Sequence, residues 1–171
     1  MIVVRPDILL DAVQQTLLRA KFNYYVAEVS DLDECAAFTV PENKLVVLRQ
    51  DVYDGLFEDE VFSRSTVIHE LSHIVLNHAV TLHRGAILGQ HEFYEDSEWQ
   101  AKALTAAVMM PIEACRAAHS VDELSRLCGT SIQAANYRIE SLTKRGLVDA
   151  ERHRGTLFST FELDEPKGGK K

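Results

Sequence analysis

A chain of 171 residues, 46% hydrophobic and 26% charged, holds enough apolar material to bury one real core without disulfide or metal staples. Its formal net charge of -8 excludes a protein that wraps nucleic acid over its whole surface, while leaving room for a local basic face. Cys35, Cys115 and Cys128 are odd in number, widely spaced and never C-x-x-C, so they read as reduced, mostly buried thiols of a cytosolic protein.

The opening MIVVRPDILLDAVQQ lacks a basic region followed by a long apolar run, and no stretch reaches the ~20 apolar residues that span a bilayer. The expected location is the cytoplasm, away from membranes. PDILLDAVQQTLLRA starts on Pro6 and Asp7 and carries apolar residues at helical spacing, which predicts a helix. YYVAEV reads as a strand. AAFTV-PEN-KLVVL reads as two strands around a tight turn, with Pro41 and Asn43 supplying the turn chemistry. DGLFEDEVFS is acidic and irregular, and a helix follows it.

Residues 81–97, TLHRGAILGQHEFYEDS, have no clean period and contain two glycines, which predicts a loop. Loops beyond about 12 to 15 residues inside a domain are often functional. Gly85-x-x-x-Gly89 is no phosphate loop, because no Lys-Ser/Thr follows and no strand precedes it. SEWQAKALTAAVMMP, rich in alanine, predicts a second strong helix ending at Pro111. A capping box, Ser120 with Glu123, opens a short helix that Gly129 closes, and Ser131 caps the next. Short helix, four-residue turn and longer helix give a helix-turn-helix outline. The strand-like segment LVDAERHRGTLFSTFEL is placed to form a wing, and EPKGGKK reads as a disordered tail.

The chemistry lies in STVIHELSHIVLNH, residues 65–78. His69 and His73 are one helical turn apart, so both imidazoles reach one metal ion. Thr66, Glu70 and Asn77 lie on or beside the same stripe, and Val67, Ile68, Leu71, Ile74 and Val75 cover the rest. The pattern is H-E-x-x-H. Two neutral imidazoles suit Zn(II), and Glu70 is placed to take a proton from a water that the metal acidifies toward pKa ~7. The bland alternative is two satisfied histidines and a solvated glutamate, but average residue usage yields this motif by chance in fewer than about one such chain in a hundred.

Catalytic zinc commonly takes three protein ligands. A metzincin would need glycine at 76 and histidine at 79, where this chain has Leu76 and Ala79. His78 is no substitute on this helix, because five residues past His73 it points well away from the stripe, and it reads as a residue at the negative helix end. Glu98 opens the second helix, with the small Ala101 and Thr105 on roughly its own face to let two helices approach. Its alternative role is a surface pair with Lys102 worth only ~0.3 to 0.5 kcal/mol. His83, His91, Glu92 and Glu95 in the loop remain alternatives as third ligand. Tyr94, His83 and His91 are candidates for polarising a carbonyl.

HELSH followed by EWQAKALTAAVMMP resembles the ImmA/IrrE family of metallopeptidases, whose signature is HELGH and then a helix of the type E-x-x-A-N-x-F-A-x-x-L-L-M-P. The resemblance covers roughly residues 40–145. It implies His69, His73 and Glu98 as zinc ligands and Glu70 as the catalytic base. Ala101 and Pro111 match directly; Ser72 stands for Gly, Lys102 for Asn, Leu104 for Phe and Thr105 for Ala. The implied fold is α+β and mostly helical: a zincin-like core with a small sheet packed on the active-site helix, then a helix-turn-helix-like segment. The corresponding ranges are 1–118 for the metallopeptidase domain, 119–163 for a winged-helix-like subdomain and 164–171 for the tail. Family members commonly sit beside an XRE-type helix-turn-helix repressor in bacteria, phages and mobile elements, and several cleave it. Such a repressor is the implied partner and substrate.

Two rival readings belong to other classes. One is a regulatory binding protein whose metal site is vestigial or structural, motivated by Lys102 and the helix-turn-helix outline. The other is direct DNA binding through residues 121–154, with Ser131, Gln133, Asn136 and Arg138 on the second helix. Arg138, Lys144, Arg145, Arg152 and Arg154 give a positive bias that Glu140, Asp149 and Glu151 dilute. That thin charge footprint favours a packing or substrate-docking subdomain.

Overall fold

The apolar run Leu45–Arg49 (β3), LVVLR, is buried along its middle three residues and occupies the centre of a three-stranded sheet. A strand covered on both faces has no need to alternate, which is why it reads as a continuous apolar run. Asn23–Ala27 (β1) pairs with it in parallel and Ala37–Val40 (β2) antiparallel, giving the order β1-β3-β2. The computed structural model that shows this describes residues 21–32, 35–78 and 97–149, together with Gln15 and Arg19. The predicted helix at residues 6–20, the loop at 81–97, the wing and the tail lie outside the described residues, apart from Gln15, Arg19, Ser97 and the first residues of the wing segment.

The predicted hairpin forms, with a single 3-10 turn at Pro41–Asn43 between β2 and β3. The left-handed residue that reverses the chain is Lys44, at φ 48°, and not Asn43. Val29–Leu32 (α1) follows β1, and Gln50–Gly55 (α2) follows β3. The acidic stretch read as irregular is therefore partly helical. Gly55 ends α2 tightly against the next helix: a Cβ there would run into the side chains of Ser63 and Glu60.

Val61–Val75 (α3) carries the H-E-x-x-H stretch, and Ser97–Met109 (α4) is the alanine-rich helix packed along it. Ile112–Ala117 (α5), Val121–Cys128 (α6) and Ile132–Lys144 (α7) complete the described helices. Pro111 ends α4 and stands as the cap of α5. Ser120 accepts from the Glu123 amide at 3.1 Å, and the Glu123 carboxylate accepts from the His119 amide at 2.7 Å, one residue earlier than a strict capping box. Gly129, at φ 58°, ends α6, and Ser131 accepts from the Ala134 amide to start α7. Residues 129–131 make the turn, one residue shorter than expected.

Two apolar clusters hold these elements. Val46 and Leu48 of β3 meet Val52, Leu56 and Val67, with Leu71 and Ile74 packed alongside, so the sheet rests on α3. Met110, Cys115, Val121, Leu124, Ile139 and Leu142 form the second cluster among α4 to α7. Each fully buried large side chain contributes about 1.5 to 3 kcal/mol. The result is a mostly helical α+β fold, as expected. Of the apolar residues read as covering the rest of this helix, Val75 is 63% exposed, because α3 stops there. Asn77 is also not on the helical stripe; it sits past the helix end at φ 54°. No helix among the described residues is long and apolar enough to cross a membrane.

Candidate metal centre

Helices α3 and α4 approach closely because the contact carries small residues: Ala101 is fully buried and Ser72 is 2% exposed. That proximity brings Glu98, from the first turn of α4, to the two histidines of α3. Glu98 Oε1 lies 2.9 Å from His73 Nε2, and Glu98 Oε2 lies 3.3 Å from His69 Nε2. The two imidazole Nε2 atoms are 3.2 Å apart. Donors bound to zinc at ~2.0 to 2.1 Å in a tetrahedron stand about 3.3 Å from one another. The three side chains thus converge at separations of zinc size, His73 facing one Glu98 oxygen and His69 the other, and their N, N, O donor set is one that zinc accepts. His69, His73 and Glu98 fit the metal, and among the described residues no other group of three such donors does.

Glu70 lines the same cleft as His69, His73 and Glu98 and is 7% exposed. Thr39 Oγ1 donates to Glu70 Oε2 at 2.7 Å, from strand β2 lying over α3. A buried carboxylate needs such donors. Thr39 was not singled out from the sequence. The signal available was a hydroxyl-bearing residue inside a short strand next to the motif, which by itself names no partner.

His78 is where sequence reasoning went wrong. On a continuing helix it would point away from the stripe, but α3 ends at Val75 and the left-handed Asn77 turns the chain back. The His78 amide donates to the His73 carbonyl at 3.0 Å. Its ring then meets the rear of His73, Nδ1 to Nδ1 at 3.0 Å, and its Nε2 stands 3.2 Å from Gln100 Oε1 on α4. It remains outside the ligand triangle, as expected.

Two positions that depart from the family signature touch each other. Ser72 Oγ and Thr105 Oγ1 are 3.2 Å apart, and each also donates at 2.8 Å to the carbonyl one turn back, Ile68 and Ala101 respectively. Two hydroxyl protons serve three contacts, so the pair bridges α3 and α4 only when one hydroxyl releases its own helix. Lys102 is exposed and lines the cleft beside the site.

The cleft has a volume of about 1630 Å³. Thr39 and Glu42 border it on the sheet side, and Ser131, Arg138 and Arg145 on the α7 side. Of the residues read as possible DNA contacts, Ser131 caps α7 and Arg138 Nε donates to the Met110 carbonyl at 3.2 Å. Gln133 is exposed and Asn136 half-buried. His83, His91, Glu92, Tyr94 and Glu95 lie outside the described residues. Of the thiols, Cys115 is buried, Cys128 half-buried and Cys35 exposed, which corrects the expectation for Cys35. Burial pushes the Cys115 and Cys128 thiols above their ordinary value.

Residues 59–140 match the family model described as IrrE N-terminal-like domain, Peptidase_M78. The match begins just before α3 and runs into α7, so it takes in both motif helices but not the sheet. No curated protein and no solved structure matches the chain.

Proposed function

Since residues 59–140 belong to the IrrE N-terminal-like peptidase family, we propose that the protein is a zinc-dependent endopeptidase with a narrow protein substrate. The observation that carries this reading is the triangle of His69, His73 and Glu98 donors with a buried glutamate adjoining it. When bound there, zinc supplies a Lewis acid and lowers the pKa of water toward about 7.

The remaining work falls to side chains of this chain. Glu70 receives the proton of the attacking water on a carboxylate oxygen and returns it to the departing amide nitrogen. Thr39 holds Glu70 Oε2, which fixes the carboxylate's rotamer for both transfers. The cleft exceeds the roughly 300 to 1,000 Å³ of small-molecule sites, and its volume suits a polypeptide segment.

The substrate we propose is a helix-turn-helix repressor of the XRE type encoded beside this gene, the partner that the ImmA/IrrE resemblance implies. The test is incubation of the purified pair, with cleavage read on a gel. Wild type is expected to cut the repressor, and Glu70→Gln is expected to retain zinc and lose cleavage. Metal-free protein with His69 and His73 intact overturns the reading. Equal release of repression by Glu70→Gln assigns the protein to binding without proteolysis.

A further inference from the structure

Behind the ligand triangle, a chain of two polar contacts settles the placement of protons once His73 offers Nε2 to a metal. His73 Nδ1 and His78 Nδ1 are 3.0 Å apart with ring planes at 70°, so one nitrogen carries a hydrogen and the other a lone pair. His78 Nε2 is 3.2 Å from Gln100 Oε1, which only accepts. His73 Nε2 faces the donors of His69 and Glu98. A neutral His73 that offers Nε2 to a metal carries its proton on Nδ1 and donates it to His78. A neutral His78 that accepts on Nδ1 carries its proton on Nε2 and donates it to Gln100. Both contacts behind His73 are then satisfied, and its Nε2 lone pair is left facing Glu98 and His69 for a metal. The reverse assignment places a proton on His73 Nε2, inside the triangle, and requires the Gln100 amide to turn over.

We propose that His78 and Gln100 are positioning residues that hold His73 in the tautomer that binds metal through Nε2. The inference rests on the zinc-peptidase reading and adds a function for a histidine outside the ligand set. A ligating imidazole gains basicity and a fixed ring orientation when its second nitrogen donates to an acceptor. Here the acceptor is a histidine folded back by the left-handed Asn77, itself anchored on α4. Because Glu98 and Gln100 both belong to the start of α4, that helix supplies a ligand in front of His73 and the anchor behind it.

The test measures zinc affinity by competition with a chromophoric chelator, and the His73 tautomer by long-range proton–nitrogen correlation on histidine-labelled, zinc-loaded protein. In wild type, His73 is expected to be protonated at Nδ1 and metal-bound at Nε2. His78→Phe is expected to weaken zinc about 10- to 100-fold, and Gln100→Leu by a smaller factor, with melting curves confirming both folds. His78→Asn, whose side-chain carbonyl still accepts, is expected to recover part of the loss. Should His78→Phe fail to fold, Gln100→Leu decides. Zinc affinity within about 2-fold of wild type in the folded variants, or metal on His73 Nδ1, overturns the proposal while leaving the zinc reading intact. Wild-type protein that takes up no zinc overturns both.

Discussion

Arg64→Met tests how the active-site helix is tied to the C-terminal helices. Arg64 sits in the first half of α3, 8% exposed, with its guanidinium bonded to Asp59 and to the Gly129 carbonyl at the α6–α7 turn. Gly129 has no room for a Cβ because the guanidinium lies against it. Methionine keeps the apolar stem and removes the fork. Losing the charge-assisted bond to Gly129 costs about 1.5 to 3 kcal/mol. The Asp59 partner is 50% exposed, so that ion pair adds at most about 1 kcal/mol. In the opposite direction, Arg64 Nε is buried without a hydrogen-bond partner among the described residues, and removing it recovers roughly 1 kcal/mol. The net loss is about 2 kcal/mol, which for a chain of this size lowers Tm by about 4 to 8 °C. Arg64→Lys, which keeps the charge but not the planar fork, is expected to fall between. Thermal melts read by circular dichroism decide it. A Tm within about 1 °C of wild type in Arg64→Met refutes the role of this bridge.

Two further outcomes follow from particular contacts. Thr39→Val removes the donor to Glu70 Oε2 and is expected to lower kcat about 10-fold with zinc content unchanged, while Thr39→Ser retains activity; equal kcat in Thr39→Val refutes the positioning of the base. Near pH 8, iodoacetamide is expected to alkylate the exposed Cys35 first, because burial holds the Cys115 and Cys128 thiols above their ordinary pKa and covers Cys115 fully and Cys128 in part; mass spectrometry showing equal rates at all three contradicts that packing.

The helical positions of the site were legible because helix geometry is local. The one-turn spacing of His69 and His73 needs no tertiary information, and the caps at Ser120, Gly129 and Ser131 are short-range chemistry that the structure repeats. Glu98 was only a candidate from spacing. Its approach depends on α4 packing on α3, which small residues at Ala101 and Thr105 permit but do not specify, and the family resemblance singled it out. Thr39 and the contact of His78 with His73 were missed for different reasons. Thr39 reaches Glu70 across the interface between strand and helix, 31 residues away in sequence. His78 was placed by extending a helix through Asn77, whose left-handed backbone breaks the periodicity that the extension assumed.

The measurement closest to the central claim is elemental analysis of the purified protein alongside single substitutions of the three ligands. The account predicts about one zinc per chain in wild type and in Glu70→Gln, and loss of zinc in His69→Ala, His73→Ala and Glu98→Ala. Wild-type protein without metal, or a Glu98→Ala variant that holds zinc as tightly as wild type, contradicts it.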